Sequence, residues 1–145
     1  MTRFWVVFAA LVFALAGCQS HPAQADPIEA GLDQEFVLHG GQAATVRGTD
    51  LRLRFTDVLE DSRCPTQVEC FWTGQARIAV VAEQAQGPST TVEFNTNPAP
   101  GQNKQTVQVG DYIVELKSLD PYPQTPDDAP ALTAYNATLL VRKSA

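Results

Sequence analysis

The chain is poor in positive charge, in histidine and in cysteine, and it lacks any convincing helical stripe beyond its first residues. Ten Lys and Arg stand against sixteen Asp and Glu, a formal charge of −6. The basic residues are scattered, whereas nucleic acids and anionic lipid headgroups both demand a basic patch. Nucleic acid is therefore set aside as a partner. His21 and His39 are the only imidazoles. Any Ser-His-Asp or Cys-His arrangement in the body of the chain must use His39, which sits between Leu38 and Gly40 at an expected strand end. No G-x-S-x-G, phosphate loop, EF-hand or zinc-ligand spacing occurs. The expectation is a protein that is not an enzyme and carries no cofactor. Paired carboxylates for glycoside hydrolysis are the one catalytic arrangement a sequence does not display, because their spacing exists only in three dimensions.

What is present begins at the amino terminus. Arg3 precedes the uncharged run FWVVFAALVFALAG, Phe4 to Gly17. As a helix this run spans about 21 Å, short of a roughly 30 Å hydrocarbon core, which suits a signal h-region over residues 1–17 better than a membrane-spanning helix. It ends in Leu15-Ala16-Gly17-Cys18, which resembles the lipobox of bacterial lipoproteins. The resemblance implies cleavage between Gly17 and Cys18, diacylglycerol on the Cys18 thiol and an acylated new amino terminus. One acyl chain holds a protein only marginally, whereas two or three anchor it durably. The implied partner is thus a membrane, reached through lipid on Cys18. Gln19, where retained inner-membrane lipoproteins of Gram-negative bacteria commonly carry aspartate, points to the outer membrane facing the periplasm. The competing reading is an ordinary secretory signal cut near Ala23-Gln24-Ala25. With Arg3 removed, the remainder is near −7 (9 minus 16).

Three cysteines in an exported chain leave one unpaired. Assigning Cys18 to lipid resolves the oddity and leaves Cys64 and Cys70 to form a disulfide in an oxidising compartment. A metal reading of that pair has little behind it, since no second Cys pair exists.

Residues 18–34 are polar, with Pro and Gly and no clear period, and are expected to be a lipidated cysteine followed by a flexible linker. Over 35–145 the pattern changes to period two. Leu51, Leu53 and Phe55 alternate with polar neighbours, as do Val92 and Phe94. Further alternating runs are Ala76 to Ala82, Tyr112 to Leu116 and Tyr135 to Val141. Shorter candidates lie at 35–38, 43–47 and 104–109, with Gly- and Pro-bearing turns between. The reading is an all-β chain: a single antiparallel β-sandwich, or an open barrel, of about seven to eight strands and monomeric. The proline-rich stretch 120–131 reads as a long connection across the end of the sandwich, with a polyproline ligand as the alternative.

The run Glu60-Asp61-Ser62-Arg63-Cys64-Pro65, leading to Cys70-Phe71-Trp72-Thr73-Gly74, stands apart. It resembles a group of small secreted or lipid-anchored bacterial proteins that carry a DSRCP…CxWxG segment between two strands. The resemblance covers fifteen residues and implies fold and compartment, without an activity. Counting back by twos from Val80 and Ile78 places Trp72 on the core face and Phe71 outside, unless Gly74 marks a bulge that reverses the assignment. A carboxylate within the loop is expected to hold Arg63. Two roles compete for this segment. In one it is a stapled corner with Trp72 as plug. In the other it is a rigid displayed loop, with Arg63, Thr66, Gln67, Glu69 and Phe71 meeting a partner.

The functional expectation is a membrane-anchored envelope lipoprotein acting as a binding or accessory module. Its partner would be a protein or a cell-wall component. The alternative is a protease-inhibitor-like or structural envelope protein that uses the braced 63–71 loop, because a preorganised loop binds with less entropy lost. Asp57, Glu60 and Asp61, and separately Asp127 and Asp128, are candidate calcium ligands, although surface carboxylates are usually just solvated.

Overall fold

The computed structural model describes residues 25–100 and 105–145. The expected signal segment and Cys18 lie outside the described residues. Nine strands follow in order: β1 (Ile28–Ala30), β2 (Glu35–His39), β3 (Ala43–Val46), β4 (Leu51–Asp61), β5 (Ala76–Gln84), β6 (Thr90–Asn95), β7 (Thr106–Val109), β8 (Tyr112–Asp120) and β9 (Asn136–Lys143). One sheet has the order β1-β3-β4-β5-β6 and the other β2-β9-β8-β7. The two sheets pack face to face as a β-sandwich, and among the described strands no barrel closes.

Alternation builds this core directly. Leu51, Leu53 and Phe55 of β4, Ile78 and Val80 of β5 and Phe94 of β6 supply one side. Leu38 of β2, Val114 and Leu116 of β8 and Ala137, Leu139 and Val141 of β9 supply the other. Side chains two apart share a face of a strand, and burying each large one contributes about 1.5–3 kcal/mol. Phe55 and Phe94 are the largest side chains with no exposed surface. Register shifts between Phe55 and Asp57 and between Val58 and Glu60 interrupt the β4–β5 ladder. Beyond them β4 continues to Asp61, further than its alternating apolar run.

The stretch expected to be linker up to residue 34 requires correction. Ile28–Ala30 is a strand, and it pairs with β3 in parallel, the one departure from antiparallel pairing among the described strands. Ala30 is buried in the core and its carbonyl accepts from Arg47 N at 2.8 Å. The Gln42 amide clips the entry to this strand by donating to Asp26 O at 2.9 Å. The chain then crosses between sheets, where Asp33 adopts φ 59° and its N–H donates to Val141 O at 2.8 Å. Three residues bounded by Pro27 and Gly31 are too few to display a period.

Neighbouring strands set the direction of β1. Because β3 runs antiparallel to β4, β1 does too, and Ile28 stands level with Ala44 and Leu53. The chain therefore enters β1 from the end of the sandwich at which β4 terminates in Asp61. Ala25 lies beside Ala43 and Arg54, consistent with that entry.

Candidate functional site

Past Asp61 and before Ala76 the chain makes a projecting arm. Ser62 N donates to Gln75 O at 2.8 Å and Cys64 N to Thr73 O at 2.8 Å, which extends the β4–β5 pairing beyond the sheet. Gly74 has φ 67°, and a Cβ there would lie 1.8 Å from Ser62 O, so only glycine lets the two chains approach. Cys64 and Cys70 form a disulfide, their Cα atoms 6.0 Å apart.

A second brace comes from the connection between β8 and β9, which does cross the end of the sandwich. Thr66 N donates to Pro123 O at 3.1 Å and Gln67 N to Gln124 O at 3.0 Å. That connection is itself held by Asp128, whose carboxylate accepts from Gln124 N at 2.6 Å, Thr125 N at 3.0 Å and the Thr125 hydroxyl at 2.9 Å. Those backbone and hydroxyl donors hold the Asp128 carboxyl below its ordinary range. From the other side the Asn97 amide donates to Thr73 Oγ1 at 2.8 Å and Gly74 O at 2.9 Å.

Arg63 locks the base of the arm. Its Nε and Nη2 donate to the two oxygens of Asp61 at 2.8 and 2.7 Å, a bidentate pair. Nη1 donates to Leu119 O at 2.6 Å and Nη2 also to Pro121 O at 2.8 Å. The guanidinium carbon lies 4.8 Å from the centre of the Tyr122 ring. The Tyr135 hydroxyl completes the cluster by donating to Asp61 Oδ2 at 3.0 Å. Burial alone would raise the Asp61 carboxyl, but the hydrogen bonds and charge of Arg63 and the Tyr135 hydroxyl outweigh it and hold the group below its usual range. Burial, together with the Asp61 carboxylate it faces, pushes the Tyr135 phenol up to about 12.

Two expectations change here. Arg63 is held by a carboxylate within the loop, as read from the sequence, yet it is only 7% exposed and is not part of a displayed surface. Trp72 is not a core plug. It is 79% exposed and Phe71 fully so, with ring centres 6.2 Å apart. The left-handed turn at Gly74 breaks the parity count, and what lies beside the arm is the irregular connection at Pro123 and Gln124 rather than a strand of the second sheet. Thr66, Gln67 and Glu69 are exposed around the tip, with Val68 at 40%. Sequence reasoning missed Tyr122, Tyr135 and the Leu119 and Pro121 carbonyls as members of the Arg63 cluster. Each comes from more than fifty residues away and leaves no local signal.

An open cleft of about 420 Å³ borders the arm at Arg63, Thr73 and Gly74 and another of about 530 Å³ lies in the 121–130 connection, and in each Tyr122 is the sole aromatic among the described lining residues. Neither is an aromatic groove with convergent polar groups. Of the candidate calcium ligands, Asp57, Glu60, Asp61 and Asp128 border one open cleft, but Glu60 accepts from Ser62 and Arg77, Asp61 from Arg63, and Asp128 from its own turn. Among the described residues no three His, Cys, Asp or Glu side chains converge as a metal site. His39 pairs with the Asn136 side chain at the surface. Compared with protein-family models, curated proteins and solved structures, the chain matches none.

Proposed function

We propose that this chain is a lipid-anchored, non-enzymatic binding module of the bacterial envelope, and that the tip of its braced arm is the working surface. The lipobox-like Leu15-Ala16-Gly17-Cys18 supports the anchor. The observation that carries the binding role is Phe71, fully exposed beside a 79%-exposed Trp72 on a stapled backbone. Large aromatic side chains lose much by standing in water. Adjacent aromatics held out by a disulfide, two inter-segment backbone bonds and a buried arginine are preorganised for contact. Aromatic side chains also supply most of the energy where interfaces have been dissected.

The inhibitor alternative is the less favoured. A loop that lies in a protease cleft pairs its backbone with the enzyme, and here the amides of Thr66 and Gln67 are already donated to Pro123 and Gln124.

Photo-crosslinking in cells tests the reading. A photoreactive residue in place of Phe71 is expected to give adducts with an envelope component, protein or lipid, well above those from Gln86 in the exposed β5–β6 turn at the opposite end. Equal yields at the two positions would remove the arm as the working surface.

A further inference from the structure

We infer that the arm tip docks on the same bilayer that holds the chain's lipid, so that Val68, Phe71 and Trp72 form a second, non-covalent membrane contact. The inference rests on the proposed function, in which Cys18 is anchored and the arm is the working surface.

The first argument is reach and direction. Ile28 stands level with Leu53, so Ala25, three residues earlier, stands about level with Thr56. From Thr56 to Cys64 the chain runs alongside Ala79 to Thr73, because two bulges lie in β4, and six residues advance about 20 Å at the rise of a strand. From Ala25 back to Cys18 is seven residues, which extend to at most about 25 Å. The chain enters β1 from the arm's end of the sandwich, so the leash joins the described fold on the side from which the arm extends. Val68, Phe71 and Trp72 lie beyond Cys64, so with the leash running on in that direction the tip meets the interface at every leash extension up to about 20 Å. The tether thus keeps the tip at high effective concentration against one surface.

The second argument is shape and chemistry. The tip is convex and small, two rings and a valine, with Tyr122 exposed behind it. A wedge of this kind needs no complementary pocket in a medium that opens around it. Trp is enriched where hydrocarbon meets headgroups, since its indole buries a flat apolar body and keeps an N–H for the wet side. The stapled backbone prevents the rings from folding back onto the sandwich.

Charge selects the kind of surface. Glu69 on the arm and Asp120 and Asp127 in the adjoining connection are exposed, and no salt bridge engages them among the described residues. The contact is therefore apolar rather than electrostatic and suits neutral headgroups. Anionic lipid should weaken it, and added salt should restore it by screening the repulsion.

The chain has two tryptophans, Trp5 and Trp72, and cleavage before Cys18 removes Trp5, so the lipidated protein carries Trp72 alone. The lipidated protein reconstituted into phosphatidylcholine vesicles is expected to show a blue-shifted Trp72. Quenching by aqueous iodide should be several-fold weaker than for a chain with twenty Gly/Ser residues inserted before Ala25. Lipids brominated in the acyl chain should quench it, and Phe71→Ser should reduce that quenching. Docking is overturned if Trp72 is as open to iodide as in the lengthened chain and insensitive to brominated lipid. Protection that then appears only with solubilised envelope protein sinks membrane docking and leaves the proposed function standing. Protection by neither sinks both.

Discussion

The sandwich and its arm are held together by opposite means. In the sandwich two apolar faces exclude water, and Phe55, Phe94, Leu53, Val80 and Leu139 do so with no polar side chain among them. The arm lies beside an irregular connection instead of a sheet, and its order comes from a ring closed by sulfur, five backbone hydrogen bonds and one guanidinium with four acceptor contacts. A core is indifferent to the exact identity of its neighbours so long as volume is kept. A polar lock is not, because removing one partner strands the rest. The difference lets this fold expose aromatics at the arm without losing the sandwich beneath them.

Substitutions should separate the two regions. Phe55→Ala is expected to cost about 3–5 kcal/mol in denaturant unfolding, and to act on the whole domain through a cavity in the shared core. Arg63→Ala should cost about 3 kcal/mol, since it leaves Asp61 and two carbonyls without their donor. Its signature is local: amide exchange should accelerate over 62–75 and 119–124 more than in β5 or β9. If all amides accelerated together, the arm would be part of the core's cooperative unit. Replacing Cys64 and Cys70 with serine removes a seven-residue ring worth roughly 2.4 kcal/mol in a loop-entropy picture. That loss should likewise centre on the arm.

A subtler probe is pH. The folded Asp61 carboxyl lies below its unfolded value, so its contribution is present above the ordinary carboxylate range and fades as pH falls through the folded value. Tyr135 works in the other sense. Its folded value near 12 exceeds the usual 10, so its contribution is complete below about pH 10 and declines as pH rises towards 12. Tyr135→Phe should flatten the alkaline slope and cost about 1 kcal/mol at neutral pH, where Asp61 loses one donor; an unchanged slope would show that another group titrates. The smallest expected effect is at the tip, where Phe71→Ser and Trp72→Ser should shift stability by under about 0.5 kcal/mol. A larger loss would mean the rings pack on the domain rather than stand clear of it.

The two regions also differ in how much of each was legible. Leu51, Leu53 and Phe55, or Tyr135, Ala137, Leu139 and Val141, announce a buried face because a strand with one apolar side has one way to lie. The disulfide followed from counting thiols. The orientation of Trp72 did not, because a parity count assumes an unbroken strand and a sheet opposite, and the arm has neither. Arg63 could be assigned a nearby carboxylate, since Asp61 is two residues away. Its remaining partners, from Leu119 to Tyr135, depend on tertiary return of the chain. Strand β1 escaped notice because a parallel edge of three residues leaves no period in the sequence.

That short edge strand has a mechanical consequence. The chain upstream of Ala25 meets the fold at β1, whose axis runs away from the arm's end. Tension drawn towards the arm's end is therefore aligned with the strand. The pairing of Ile28, Glu29 and Ala30 with Ala44, Thr45 and Val46, together with the Gln42 clip on Asp26, bears such a load side by side in shear. Peeling would instead break those bonds one at a time. Where the leash joins the body, the fold is built as a lap joint rather than a zipper.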